Sequence, residues 1–320
     1  MPAQRGGYIL LMSTRKVIAP VQLEATRMNY QLSSHASRRT MTNFSFSNVE
    51  MLTEIAFSWN DKLNCVIHFS SKMMEANVKI YGESTTHVML IHGLAGLMNS
   101  WEKNRDVLAS QHTVYEVELP DYADSDRGYN IEQYVDYIEK LIARLKLEAV
   151  ILIGNSMGGQ IASFLAAKRP EIVKKLILSG PSGIFCDMQN ASPFFIQHPD
   201  AESIQGIGES LFYDTSLFTK QLIEEVLAYY SNHKRFIGFL RTAKKMKASP
   251  LEEVLPRIVQ PTLIVWGKND QIIPVKSADV FHALIENSRL MILDKCGHAP
   301  QIEKAETFNR AVLDFCKETT

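Results

Sequence analysis

Three features of the sequence predict an α/β fold, with a mostly parallel sheet covered by helices on both faces. Short apolar runs of strand length recur along the chain, stretches with helical periodicity lie between them, and several runs end in glycine-bearing turns. Size agrees with them: 320 residues, 46% of them hydrophobic and 22% charged, can bury a large core without disulfide or metal staples.

The chain opens on a basic stretch. Through about residue 43 it carries Arg5, Arg15, Lys16, Arg27, Arg38 and Arg39 against a single acid, Glu24. Residues 1–48 are therefore expected to form a flexible N-terminal extension, which an Arg-rich, acid-poor composition also suits to a targeting segment. From about Val49 the pattern becomes globular. Asn77 to Gly82 alternates polar and apolar residues as a half-exposed strand does, and His87 to Ile91 reads as a buried strand broken by His92-Gly93. Ile131, Tyr134, Val135, Ile138, Leu141, Ile142 and Leu145 recur at three- and four-residue spacing, the mark of an amphipathic helix. Ala149 to Ile153 is a further apolar strand; Gly154 opens a turn, and a helix runs on through Ile161, Phe164 and Leu165 and stops before Pro170.

Leu176 to Leu178, Thr262 to Val265 and Leu290 to Leu293 repeat the strand signal, and Phe308, Val312 and Phe315 share one face of a closing helix. Between about Ile184 and Ser249 the strand signal disappears, and aromatics such as Phe212, Phe218, Tyr230, Phe236 and Phe239 accompany helical patterning. This divides the chain into a core of residues 49–183 and 251–320 and a helical cap over 184–250.

Composition excludes several classes of function. Lys plus Arg total 34 against 35 Asp plus Glu, a net charge of -1, so a dedicated nucleic-acid binder is not expected. Cys65, Cys186, Cys296 and Cys316 are scattered with no CxxC pair, which suits reduced thiols in a cytoplasmic protein better than a zinc site or disulfide framework. No apolar run approaches the ~18 residues of a spanning helix. There is no HExxH, no GxGxxG and no phosphate-binding GxxxxGK, so neither metal nor nucleotide cofactor is expected.

The chemistry concentrates at Gly154-Asn155-Ser156-Met157-Gly158-Gly159, directly after a strand and before a helix. A nucleophile on such a turn is held in a strained conformation, with small residues on either side because side chains there would collide. Serine is a weak nucleophile at neutral pH and needs a base oriented by an acid. Asp270, in Trp266-Gly267-Lys268-Asn269-Asp270, and His298, in Lys295-Cys296-Gly297-His298, follow later strands in the order Ser, Asp, His that this turn expects. Ser156, Asp270 and His298 are thus the candidate catalytic residues. The small-residue loop His92-Gly93-Leu94-Ala95-Gly96 follows an earlier strand, and the backbone amides of Leu94 and Met157 are the candidate oxyanion hole. His92 itself reads as structural.

These residues resemble the α/β-hydrolase-fold serine hydrolases, over roughly Asn77 to the C-terminus apart from the cap. Within them the chain is most similar to the branch containing the meta-cleavage-product hydrolases, through Gly154 to Gly159, Ser179-Gly180-Pro181-Ser182-Gly183, Lys295 to His298 and Phe308-Asn309-Arg310. The resemblance implies an eight-stranded sheet with a helical cap, and maps nucleophile, acid and base onto Ser156, Asp270 and His298. The chain departs from that branch in having Asp121-Tyr122-Ala123-Asp124-Ser125 where Gly-x-Gly-x-Ser is usual, Ala299 in place of an aromatic, and no arginine over Lys220 to Tyr230; Arg235 and Arg241 come later. The expected activity is therefore hydrolysis of a small, apolar carboxylic ester through an acyl-enzyme. Carbon–carbon hydrolysis of a vinylogous diketone is the alternative, and a non-catalytic ligand receptor on the same fold is a third reading.

Overall fold

The computed structural model describes residues 10–11, 54–59, 65–71, 74–94, 96, 100–125, 127–184 and 200–318. The expected N-terminal extension lies outside the described residues except for Leu10 and Leu11, as do Cys186 and residues 185–199 of the expected cap.

Among the described residues, ten strands form one sheet: β1 (Leu10–Leu11), β2 (Glu54–Trp59), β3 (Cys65–Ser71), β4 (Met74–Tyr81), β5 (His87–Ile91), β6 (Thr113–Glu118), β7 (Val150–Asn155), β8 (Val173–Ser179), β9 (Thr262–Gly267) and β10 (Ser288–Leu293). Their order is β1-β2-β3-β4-β6-β5-β7-β8-β9-β10. From β6 to β10 every neighbouring pair is parallel, whereas β1 to β4 join at one edge by antiparallel pairing. The expected eight strands become ten because β1 and β2 extend that antiparallel edge.

The apolar runs of the inner parallel strands follow from burial on both faces, whereas in the edge strand β10 only Leu293 is buried. On β5, Val88 and Leu90 face one layer and Met89 and Ile91 the other, all four fully buried. One layer lies under α2 (Ile131–Arg144), α3 (Met157–Lys168) and α7 (Lys276–Leu284); the other lies under α1 (Glu102–Ala109) and α9 (Ala305–Lys317). Helix α2 buries all but the last member of its predicted stripe, Ile131 to Ile142, and starts in a capping box. The Asn130 side chain accepts from the Gln133 amide at 2.9 Å, and the Gln133 side chain accepts from the Asn130 amide at 3.0 Å. Asn130→Ala should cost about 1 kcal/mol of stability, seen as a lower Tm with unchanged activity.

Between β8 and β9 the chain forms α4 (Ala201–Leu211), α5 (Lys220–Tyr230) and α6 (His233–Met246), called the cap below. Its aromatics form a cluster of their own, with Tyr122, Phe212, Phe218, Tyr230, Phe236 and Phe239 packed together with Ala299. The far end of α6 is secured by a buried glutamine on α3: Gln160 Nε2 donates to the carbonyls of Met246 at 3.2 Å and Ser249 at 2.7 Å.

A short helix, α8 (Pro300–Glu303), leads into α9. The end of α9 is held by Lys175, a strand residue only 2% exposed. Its ammonium lies 5.1 Å from the centre of the Phe315 ring and donates to the carbonyls of Phe315 at 2.6 Å, Cys316 at 3.2 Å and Glu318 at 2.7 Å. A buried cation needs such partners, and the negative end of a helix is a suitable place to find them. Among the described residues, no helix is long and apolar enough to cross a membrane.

Candidate active site

Strand β7 is buried throughout and delivers Ser156 at its end with φ 53° and ψ −119°, in the left-handed region that side-chain-bearing residues rarely adopt. Neighbours on all sides impose this turn. A Cβ on Gly154 would lie 2.3 Å from the Gly158 carbonyl oxygen, and one on Gly158 would lie 2.2 Å from that of Ile91. Side chains would therefore collide at both glycines. Ser156 is the residue before α3, where a serine hydroxyl ordinarily caps the helix; here it makes no capping bond. The hydroxyl is left uncommitted at the N-terminus of a helix.

The loop after β9 carries Asp270, which is 8% exposed. One carboxylate oxygen, Oδ1, accepts from the amides of Ile272 and Ile273, both at 2.9 Å, while Oδ2 lies 2.8 Å from His298 Nδ1. An ionised carboxylate only accepts, so Nδ1 carries the proton and Nε2 presents its lone pair. That Nε2 is buried and has no hydrogen-bond partner among the described residues. Buried ring nitrogens are rarely left so, which marks it as available to a group that arrives from outside the fold.

Backbone and amide contacts draw the two loops and the Ser156 turn together. Asn155 Nδ2 donates to the Ser179 carbonyl at 2.9 Å and to the His298 carbonyl at 3.3 Å, while the Ser156 amide donates to the Ser179 carbonyl at 3.1 Å. Gly180, at φ 48°, passes close enough that a Cβ there would lie 3.4 Å from Asp270 Oδ2. The third loop is equally near, since a Cβ on Gly93 would come within 3.1 Å of the Ser156 Cβ. His92 holds this loop: its Nε2 accepts from the Leu119 amide at 3.1 Å and its Nδ1 donates to the Gly93 carbonyl at 2.8 Å. Those roles fit the neutral ring, and burial lowers its pKa further. Leu94 follows Gly93 on this loop and Met157 opens α3, so the two amides expected to form an oxyanion hole come from separate elements.

Other candidates separate from this cluster. Cys296 is fully buried and its thiol is pushed up to about 12, chiefly by burial, so it is not a nucleophile at neutral pH. Asp124 is exposed in a short turn after β6, and Asp187 lies outside the described residues. Arg235, the first arginine after the Lys220 to Tyr230 stretch, is committed to Asp121: Nε donates to Oδ1 at 2.9 Å and Nη2 to Oδ2 at 2.7 Å, with the guanidinium 4.1 Å from the centre of the Tyr229 ring. Arg241 is exposed. Sequence reasoning did not single out Asn155 as a link to His298. Its position before Ser156 is visible, but its partners Ser179 and His298 lie far away in the chain.

Comparison with known proteins agrees with this architecture. The model of the alpha/beta hydrolase fold family matches residues 86–216 and 209–305. A 2-hydroxy-6-oxononadienedioate/2-hydroxy-6-oxononatrienedioate hydrolase from Pseudomonas putida is 31% identical over 255 residues, covering 73% of this chain and 89% of the relative. A 2-hydroxymuconate semialdehyde hydrolase from Pseudomonas sp. strain CF600 is 28% identical, over 72% of this chain and 87% of its own. Among solved structures, a meta-cleavage product hydrolase from Pseudomonas fluorescens IP01 superposes with a TM-score of 0.69 at 24% identity, covering 77% of this chain and 95% of that one. A membrane phospholipase A reaches the same TM-score of 0.69, also at 24% identity, over 78% of this chain and 85% of its own, so structural likeness at this level speaks for fold and not for substrate. On the family match and the P. putida relative, the chain belongs to the alpha/beta hydrolase fold family and is a hydrolase.

Proposed function

We propose that the chain is a serine hydrolase that splits the carbon–carbon bond beside the 6-oxo group of a 2-hydroxy-6-oxo-dienoate. The observation that carries the hydrolase chemistry is the buried, unpartnered Nε2 of His298, set by Asp270 at 2.8 Å, in a loop that Asn155 ties to the Ser156 turn. Ser156 attacks the C6 carbonyl as His298 takes its proton. The amides of Leu94 and Met157 receive the oxyanion, at a helix N-terminus that favours negative charge. Bond cleavage leaves the acyl group on Ser156, and water activated by His298 releases it as a carboxylic acid.

Carbon–carbon cleavage sets an extra demand. In the dienol form, C5 is part of a double bond and would leave as a localised anion. Transfer of the O2 proton to C5 gives the 2-keto form, in which the departing pair of electrons delocalises from C5 through C4 and C3 onto O2, and O2 then takes a proton to give the 2-hydroxy-dienoate product. The carbon–carbon reading is supported by the P. putida and CF600 relatives, named as hydrolases of 2-hydroxy-6-oxo-dienoates or a 2-hydroxymuconate semialdehyde. It replaces ester hydrolysis as the leading reading. One observation still favours the ester: a dienoate carboxylate calls for a cation, and Arg235 is already neutralised by Asp121.

The ranking of substrates decides between them. Purified protein should turn over a 2-hydroxy-6-oxo-dienoate with higher kcat/KM than short or medium p-nitrophenyl esters, with Ser156→Ala as the blank. Ester turnover without dienoate turnover would establish the ester reading instead. A protein that takes no fluorophosphonate label and hydrolyses neither would return the chain to the receptor reading.

A further inference from the structure

One carboxylate near the site has no part in the chemistry above. Glu303, the last residue of α8, is half-buried and forms no ion pair with another described residue. Its short hydrogen bonds come from backbone amides on two separate segments, with the Cys296 thiol at a longer 4.0 Å from Oε1. Oε1 accepts from the Gly297 amide at 2.6 Å, while Oε2 accepts from the amides of Tyr213 at 2.8 Å and Asp214 at 3.2 Å. Gly297 precedes His298, and Tyr213 and Asp214 follow the first helix of the cap.

The two segments also meet directly. The His298 amide donates to the carbonyl of Leu211, the last residue of α4, at 2.7 Å. Their backbones lie so close that a Cβ on Gly297 would stand 2.5 Å from the Leu211 carbonyl oxygen and 2.9 Å from the Tyr213 nitrogen. No side chain fits between the histidine loop and the cap strap at Leu211 to Asp214.

We infer that Glu303 is a positioning residue that fixes the His298 loop and seats the cap strap on it in one arrangement, so that the placement of the base depends on the seating of the cap. This rests on the reading of His298 as the general base. The physical reason is the donor set. A carboxylate removed from water needs strong donors, and charge-assisted bonds to N–H groups are its strongest uncharged partners. Because the amide donors come from both segments, displacing the strap leaves Glu303 short of two of its three amide bonds. It also takes away the acceptor of the His298 amide. A cap that shifts with its occupant would thereby move the base.

Three measurements on the full chain test this: the rate constant for fluorophosphonate labelling of Ser156, the low-field proton resonance of the His298–Asp270 hydrogen bond, and Tm. In Glu303→Gln an amide NH2 replaces one acceptor and faces a backbone donor. Its labelling rate should fall about tenfold or more, still reaching one label per chain, and the low-field resonance should shift or broaden. Glu303→Ala should behave alike. Wild-type labelling rates with an unchanged resonance in both variants would overturn the proposal, even where Tm drops, because that pattern belongs to a purely structural side chain. Should neither variant fold, amide exchange in the wild-type chain decides. The amides of Gly297, Tyr213 and Asp214 should be protected to a similar degree, and free exchange at Tyr213 and Asp214 would overturn it. A wild-type chain that takes no label at all overturns the serine-hydrolase reading, and with it this one, before any change at Glu303 is made.

Discussion

Ser156→Ala or His298→Ala should lower kcat by about 10⁴- to 10⁶-fold, because nucleophile and base act as a unit. Asp270→Asn should be nearly as severe, at about 10⁴-fold. The asparagine would offer an NH2 or a carbonyl where the structure has a carboxylate accepting from Nδ1 and from two amides. Turned to keep the Ile272 and Ile273 bonds, it points its NH2 at Nδ1. The proton then moves to Nε2, which can no longer accept from Ser156. Steady-state kinetics beside an unchanged Tm would check this. Near-normal activity in Asp270→Asn would require another acid, and Asp124 in its exposed turn is the described residue to test first.

The second large effect is expected from a single methyl group. Gly267 ends β9, and a Cβ there would lie 1.9 Å from the Gly297 carbonyl oxygen and 2.5 Å from that of Cys296. Both are backbone atoms, so no side chain can swing aside. Gly267→Ala must push the His298 loop away from the strand that carries Asp270, by more than an ångström if the contact is to reach ordinary separation. A displacement of about 1 Å in a catalytic group can cost roughly 100-fold in rate. Overpacking of this kind costs about 1–3 kcal/mol of stability. Activity and Tm should fall together in this variant, and unchanged kcat would mean that the loop relaxes without moving the histidine.

These two cases show why some parts of the site could be read in advance. Ser156, Asp270 and His298 each follow an apolar run of strand length, buried in β7 and β9 and half-exposed in the edge strand β10, and a parallel sheet brings the ends of such runs to one edge. Chain order and strand position therefore place them near one another before any coordinates exist. The sheet's antiparallel edge was less legible: β2 and β1 lie before the alternating segment at Asn77, in a region where no strand was read. The roles of Glu303 and Arg235 were hidden for a different reason. Glu303 is held by amides, which carry no residue identity, and the partner of Arg235 lies in the loop after β6, far away in the chain. The cap aromatics remain ambiguous from composition, since packing and ligand contact use the same residues. In the fold Tyr230 packs on Phe239 with ring centroids 4.9 Å apart and on Phe236 at 6.1 Å, so at least part of that cluster serves to hold the cap together.

The lysine buried beneath α9 bears on the order in which the molecule can be assembled. Among the described residues, every hydrogen-bond acceptor of the Lys175 ammonium belongs to residues 315–318, which leave the ribosome more than a hundred residues after β8 does. Until they arrive, closing the sheet around β8 would strand a charge in an apolar interior, at a cost of several kcal/mol. The sheet around β8 is therefore expected to close only once the last turn of α9 has formed. Tags or truncations that disturb the stretch from Phe315 to Glu318 should for the same reason be felt in the yield of folded protein, although they lie on the opposite side of the chain from any chemistry.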